Sequence, residues 1–279
     1  MDLGFIEILK TVVYGIVEGI TEWLPVSSTG HLILLEEIMP MKVSAGFWSF
    51  FLVVIQLGAI LAVVLNFWSK IWPFQKKDKT GSIINIPIMN MWCKIIVACL
   101  PAAIIGLLLD DIIDEYLYNS VVVAIMLILV GIAFIIVENR NASKEPRVTT
   151  MRKLTYKDAL IIGMFQVIAA VLPGTSRSGA TIIGGLLIGV SRTIAAEFTF
   201  YLAIPVMAGA SLLKLLKFGL AFTAAEAVIL AIGMVVAFVV SLIVIRFLMS
   251  YIKKHDFKVF GYYRIVLGII VLLYFGLIR

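Results

Sequence analysis

The chain has 279 residues, 62% of them hydrophobic and 14% charged, with mean hydropathy +1.10. A soluble domain is nearer half apolar and a quarter charged, so this composition excludes a soluble enzyme and describes an integral membrane protein. Net charge is +6, but the basic residues gather between hydrophobic spans, which reads as membrane topology and sets nucleic acid aside as a partner.

Region 3–40 is apolar but interrupted. Its segment Glu18-Gly-Ile-Thr-Glu22-Trp-Leu-Pro25-Val-Ser27-Ser28-Thr29-Gly30-His31 holds two carboxylates, three hydroxyls and one of the chain's two histidines. Pro25 lacks an amide proton and disfavours helix at Leu24, so the spacing predicts a broken helix. The hydroxyls then meet the unpartnered amides of a second half-helix, about 28–39, which is an anion site by construction. Glu7, Lys10, Glu18 and Glu22 argue against a signal peptide here.

Six further stretches are long and apolar enough to span: about 47–69, 92–109, 119–138, 194–217, 223–247 and 259–278. They lack strict alternation, so a helical bundle is expected and not a barrel. Trp23, Trp48, Trp68, Trp72 and Trp92 read mostly as anchors at span ends. Cys93 and Cys99, six apart on one helix, are too distant to bridge and read as small buried hydrophobes.

Region 156–190 repeats the interruption at Leu172-Pro173-Gly174-Thr175-Ser176-Arg177-Ser178-Gly179, with a second half at about 179–190. Both interrupted regions read as re-entrant helix pairs, tolerable at membrane depth only against protein or a wet cavity. Gly15, Glu18, Leu24 and Pro25 align on Gly163, Gln166, Leu172 and Pro173, and one extra residue brings Gly30 onto Gly179.

Loop charge sets orientation. Lys70, Lys76, Lys77 and Lys79 (against Asp78) precede a loop of Asp110, Asp111, Asp114 and Glu115. The next connector carries Arg140, Lys144, Arg147, Arg152, Lys153 and Lys157, and Lys253, Lys254 and Lys258 follow later. Basic loops in the cytoplasm put both termini outside and make the two re-entrant pairs enter from opposite faces. The expectation is an all-α membrane protein with six transmembrane helices and two re-entrant pairs in an inverted-topology repeat. It is one membrane domain, with repeats at about 3–138 and 156–278 and a flexible polar connector at about 139–155.

Glu18 and Glu22, four apart, put two carboxylates on one helix face inside a membrane segment, a functional arrangement by default. One of Ser27, Ser28 and Thr29 is expected to cap the second half-helix, but three exceed what a cap requires. His31 suits a proton carrier or a nucleophile, whereas His255 among lysines reads as a loop residue. Arg177 has a planar fork matching phosphate oxygens, with an internal salt bridge to Glu18 or Glu22 as the alternative. Ser176, Ser178 and the amides before Gly179 would complete an oxyanion cradle. Arg192 fits cytoplasmic-edge charge alone. The oxygen-only acidic pair suits Mg²⁺ or Ca²⁺.

Residues 18–31 and Pro173-Gly-Thr-Ser-Arg-Ser-Gly-Ala-Thr181 resemble the two signature motifs of the bacterial undecaprenyl-diphosphate phosphatases, also called bacitracin-resistance proteins. The resemblance extends over the whole chain, including Val54-Ile-Gln-Leu-Gly58 and Gly189-Val-Ser-Arg192. Phe is common in the family where Trp23 and Thr175 stand. The resemblance implies a plasma (inner) membrane enzyme that hydrolyses undecaprenyl diphosphate to the monophosphate, recycling the carrier lipid for peptidoglycan synthesis, with its site open to the outer face. It implies catalytic roles for Glu18, Glu22, Ser28, His31 and Arg177, and dependence on a divalent cation. Ser27, Thr29, Gly30, Ser176, Ser178 and Gly179 are the expected substrate-binding set, with Glu18 and Glu22 holding the metal. The partners expected are a polyprenyl diphosphate lipid and the bilayer. The sequence leaves open a homodimer and the nucleophile, which is Ser28 first, His31 second, or a water activated by a glutamate. A polyprenyl-phosphate transporter or flippase on the same fold is the rival reading.

Overall fold

The computed structural model describes residues 4–76, 82–117, 119–219 and 222–278, and within these says nothing of the side chains of 110–115, 277 and 278. Lys77, Asp78 and Lys79 of the charge argument therefore lie outside the described residues, as do the side chains of Asp110, Asp111, Asp114 and Glu115.

The described chain is helical: α1 (Phe5–Thr21), α2 (Ser28–Ile38), α3 (Ala45–Val54), α4 (Gln56–Asn66), α5 (Trp68–Ile71), α6 (Ile86–Tyr116), α7 (Ser120–Asn141), α8 (Tyr156–Val171), α9 (Arg177–Leu187), α10 (Arg192–Phe218), α11 (Ala224–Tyr251) and α12 (Lys258–Leu273). Among the described residues, six stretches are long and apolar enough to cross a bilayer: Ala45–Asn66, Ile86–Leu109, Ser120–Asn141, Arg192–Phe218, Ala224–Tyr251 and Lys258–Gly276. Each overlaps one of the six spans expected from sequence. Their outward faces carry Leu, Ile, Val and Phe, as Leu61, Ile104, Leu129, Leu212, Val235 and Ile270 illustrate, which suits a multi-pass protein solvated by lipid tails.

Helices with little hydrophobic drive to associate in lipid pack closely where side chains are small. Gly131 of α7 and Gly261 of α12 face each other so tightly that a Cβ on either would lie 2.7 Å from the other's carbonyl oxygen. Gly15 and Gly19 bring α1 onto α11, and Gly163 brings α8 against Ala98 of α6.

Polar clamps fix the ends. Glu138 at the end of α7 is 1% exposed, receives Arg192 through paired bonds of 2.5–3.0 Å, and accepts the Phe257 amide at 3.0 Å. Arg192 thus has a structural partner that positive loop charge did not foretell. The connector expected to be flexible is pinned. Val148 is fully buried and exchanges backbone hydrogen bonds with Gly189 and Ser191, while Arg147 pairs with Asp158 at 2.6 Å. A polar composition hid the two apolar residues that dock it, Val148 and Leu154, both buried in the core. Two smaller corrections follow from burial. Cys93 is exposed on the outer face of α6, and Trp23 is no interfacial anchor: it is fully buried, edge-on to Phe200 at 5.3 Å.

Candidate active site

Both interruptions end the same way. α1 stops at Thr21, the chain turns through Pro25, and Ser27 adopts φ 72° before capping α2 by accepting the Gly30 amide at 3.4 Å. α8 stops at Val171, the chain turns through Pro173 and Gly174, and Ser176 adopts φ 70° before accepting the Gly179 amide at 3.2 Å. These two serines are the only non-glycine residues at positive φ among the described residues. Left-handed backbone is unfavourable for a residue with a Cβ, so its use at both caps marks a geometry imposed by the surroundings. Of the three candidate caps, Ser27 is the one used. That leaves Ser28 and Thr29 in the first turn, where amides have no intrahelical partner.

The caps converge on Glu22. Its Oε2 accepts Ser28 Oγ at 2.8 Å, its Oε1 accepts Arg177 Nη2 at 3.0 Å, and its backbone carbonyl accepts Ser178 Oγ at 3.2 Å. Arg177 Nη1 is anchored on the Thr199 carbonyl at 2.9 Å, and Ser176 Oγ lies 3.1 Å from Ser178 Oγ. One carboxylate therefore joins a hydroxyl from the first break to a guanidinium from the second. The internal salt bridge weighed as an alternative role for Arg177 is present, to Glu22 and in the same place as the hydroxyl cluster.

Around this centre lie buried polar atoms without hydrogen-bond partners among the described residues: both oxygens of the fully buried Glu18, the amide of Gln166, Thr175 Oγ1, Trp23 Nε1 and Arg177 Nε. Native interiors seldom leave such groups bare, so they mark where solvent or ligand atoms belong. Glu18 offers hard oxygens that fit Mg²⁺ or Ca²⁺. No group of three or more His, Cys, Asp or Glu that could hold a metal occurs among the described residues, so the protein supplies only part of any such shell.

His31 stands apart from the carboxylate. Its Nδ1 is 2.7 Å from the Ser27 carbonyl and its Nε2 is 2.6 Å from Tyr263 Oη. A carbonyl only accepts, so Nδ1 carries the proton and the neutral ring's Nε2 accepts from Tyr263. Thr29 makes no hydrogen bond through its side chain among the described residues, and Gly30 contributes its amide to the Ser27 cap. His255 stacks on Tyr251 at 4.4 Å, the bland role expected for it.

Three residues escaped the sequence reading: Thr199, Tyr263 and Arg264. Arg264 of α12 is fully buried and donates to the carbonyls of Pro25 at 3.2 Å, Gly174 at 2.8 Å and Thr175 at 3.0 Å. It clips the two breaks together from behind through backbone acceptors, with no carboxylate among its hydrogen-bond partners. A signal existed, because Arg264 is the only basic residue in stretch 259–278. Thr199 and Tyr263 act through a backbone carbonyl and a phenol in apolar helices, and neither leaves a mark in composition.

The family described as bacitracin resistance protein BacA matches residues 11–270, which include every residue of this site. The undecaprenyl-diphosphatase of Enterococcus faecalis is 62% identical over 273 residues, covering 98% of this chain and 99% of the relative. That of Desulfitobacterium hafniense is 61% identical over 274 residues and covers 98% of each. Undecaprenyl-diphosphatase 1 of Clostridium acetobutylicum is 60% identical over 270 residues, covering 97% of this chain and 98% of the relative.

Proposed function

The chain belongs to the bacitracin resistance protein BacA family, and from that premise we propose that it hydrolyses undecaprenyl diphosphate to undecaprenyl phosphate and inorganic phosphate. The reaction recycles the carrier lipid for peptidoglycan synthesis and confers resistance to bacitracin. The observation that carries this reading at the site is the Glu22 carboxylate held between Ser28 Oγ and Arg177.

In the mechanism that follows, Ser28 is the nucleophile and Glu22 its base. Glu22 Oε2 takes the hydroxyl proton as Oγ bonds to the terminal phosphorus, and the bond from that phosphorus to the bridging oxygen breaks. Undecaprenyl phosphate leaves with the electron pair. Arg177, through its free Nε and its fork, and the first-turn amides of α2 and α9 hold the phosphoryl oxygens. Water then attacks the phosphoserine, Glu22 returns its proton to Oγ, and the water's protons leave with the phosphate. His31, committed to Ser27 and Tyr263, orients the cap in this scheme and is not the nucleophile. Glu18, with Glu22, would hold a divalent cation, which supplies charge neutralisation to the diphosphate when bound.

The architecture proposed around the site is a single membrane domain in which α1–α2 and α8–α9 are re-entrant pairs of an inverted repeat. Supporting it, Ser27 and Ser176 share one unusual backbone conformation. Packing is exchanged between the halves as a two-fold axis requires: α1 lies on α11, α8 lies on α6, and α7 lies on α12. With basic loops in the cytoplasm, the protein sits in the plasma membrane with both termini outside and its site open to the outer face.

The decisive assay is phosphate release from a short polyprenyl diphosphate by the detergent-solubilised protein, with and without chelator. Release that stops with chelator and returns with Mg²⁺ or Ca²⁺ is expected. A chelator-insensitive rate would remove the cation from the scheme, and no release at all would leave a transporter of the same lipid phosphate.

A further inference from the structure

A pocket with apolar as well as charged walls lies at the end of the bundle carrying the basic loops. It is a cavity of about 660 Å³ between α5, the start of α6, the connector and α10, and Lys70, Lys94 and Arg152 line it with a single carboxylate, Glu197. Lys70 is committed to that carboxylate at 2.7 Å. Neither of the other two cations has a carboxylate bonded to it among the described residues.

Lys94 is the informative one. The residue is only 7% exposed, its ammonium has no hydrogen-bond acceptor among the described residues, and it lies 5.8 Å from the centroid of the Tyr156 ring. The neighbouring carboxylate, Asp158, is already bound by Arg147 and by its own capping box with Thr155. A buried ammonium is ordinarily paired, because desolvating it without a counter-charge is unfavourable. Arg152 makes no ion pair among the described residues and faces the same space, where Thr149 and Thr150 add hydroxyls. Cations set among small hydroxyls, with one wall of Ile86, Ile88 and Met91, form a receptor for an anion with several oxygens and room for an apolar tail.

This chamber is not the active site seen from behind. None of Ser28, Glu22 and Arg177 lines it, and a run of aromatic contacts leads inward from Tyr201 in its wall: Tyr201 meets Phe67 at 5.3 Å, Phe67 meets Phe200 at 6.2 Å, and Phe200 meets Trp23 at 5.3 Å. Yet the two are neighbours along α10. Glu197 and Tyr201 line the chamber, and Thr199 between them accepts Arg177.

We infer that the chamber is a second anion site, built around Lys94 and Arg152, that takes a phosphate group on the basic-loop side of the protein. The group is either free inorganic phosphate or the head of a lipid phosphate monoester. The inference does not depend on the hydrolase reading, since it uses none of the same residues.

The test is saturation binding of radiolabelled inorganic phosphate to the detergent-solubilised full chain in an Arg177→Ala background, which silences the first site. One saturable site should remain. Lys94→Gln with Arg152→Gln should weaken it about tenfold or more, as loss of charge-assisted bonds does, and Lys94→Arg should keep it. Should Lys94→Gln fail to fold, Arg152→Gln alone, at an exposed position, should still weaken binding severalfold. In protein with Arg177 intact, the Lys94 and Arg152 variants should still release phosphate from a polyprenyl diphosphate, so that lost binding is not lost folding. Farnesyl monophosphate then names the source: much tighter competition than inorganic phosphate assigns the lipid head, and equal competition assigns free phosphate. The inference is overturned if Arg177→Ala alone removes all saturable binding, or if neither Lys94→Gln nor Arg152→Gln changes it.

Discussion

Ser28 Oγ donates to Glu22 Oε2 over 2.8 Å, and the other oxygen of the same carboxylate receives Arg177 at 3.0 Å. A single acid thus aligns the proposed attacking group and the proposed phosphate clamp. Ser28→Ala should lower the rate of phosphate release by roughly a thousandfold, in the range lost with a nucleophile or its base. Rapid acid quench with labelled substrate should trap a phosphoserine in the wild type and none in the variant. A wild-type burst without protein-bound phosphate would replace Ser28 with a water activated by Glu22.

Arg177→Lys keeps the charge but loses the planar fork that reaches both Glu22 and the Thr199 carbonyl. Turnover should fall roughly a hundredfold, as when one transition-state donor is removed. Arg177→Ala should abolish turnover and also lower thermal stability, because Glu22 would stay buried without its cation. Adding Glu22→Gln to Arg177→Ala should recover part of that stability and none of the activity, which a melting curve beside the phosphate assay would read.

Arg264 reaches both breaks, so its loss leaves the carbonyls of Pro25, Gly174 and Thr175 buried without this donor. Arg264→Met should destabilise by about 3 kcal/mol or more, since a bare buried acceptor costs roughly 1–3 kcal/mol. Arg264→Lys, with one compact head for four carbonyl acceptors (that of Met126 included), should fall between. In both variants activity should drop further than stability alone explains, because the clipped loops carry Ser28 and Arg177. Wild-type activity in a folded Arg264→Met protein would limit this residue to packing.

Asp158 ties the connector to α8. Burial pushes its carboxyl up, but hydrogen bonds from Arg147 and Thr155 outweigh that and hold it below the usual carboxylate range. A carboxylate depressed in the folded state adds stability above its unfolded value and loses it as pH falls through the folded one. Asp158→Asn should therefore destabilise at neutral pH, and the gap to wild type should close below about pH 4. Melting temperatures across the acid range test this, and a gap that widened on acidification would reverse the sign.

The parts legible in sequence are those governed by composition and spacing. The spans show because lipid demands about 20 apolar residues. The breaks show because Pro25 and Pro173, which disfavour helix, stand beside runs of glycine and hydroxyl residues. Pro101 and Pro205, without such runs, sit inside helices. Glu22, Ser28 and Arg177 show because polar groups stand out against an apolar background. Contacts made through the backbone did not show. Arg264 was visible as an isolated cation, but its partners are carbonyls, which every residue owns. Val148 and Leu154 turned a polar connector into a docked one through two buried side chains. His31, conspicuous as a residue type, is held by Ser27 and Tyr263, and no spacing rule foretells a partner 232 positions away.

Ser27 and Ser176 occupy backbone that glycine adopts freely and other residues resist. Selection for heat tolerance alone would find Ser→Gly changes at these positions attractive, since they relax the main chain and give up only one capping hydroxyl each. Those hydroxyls orient the turns from which Ser28 and Arg177 project. Ruggedness and turnover are therefore set against each other at these two positions, and a screen scored only by melting temperature would drift towards durable, idle proteins.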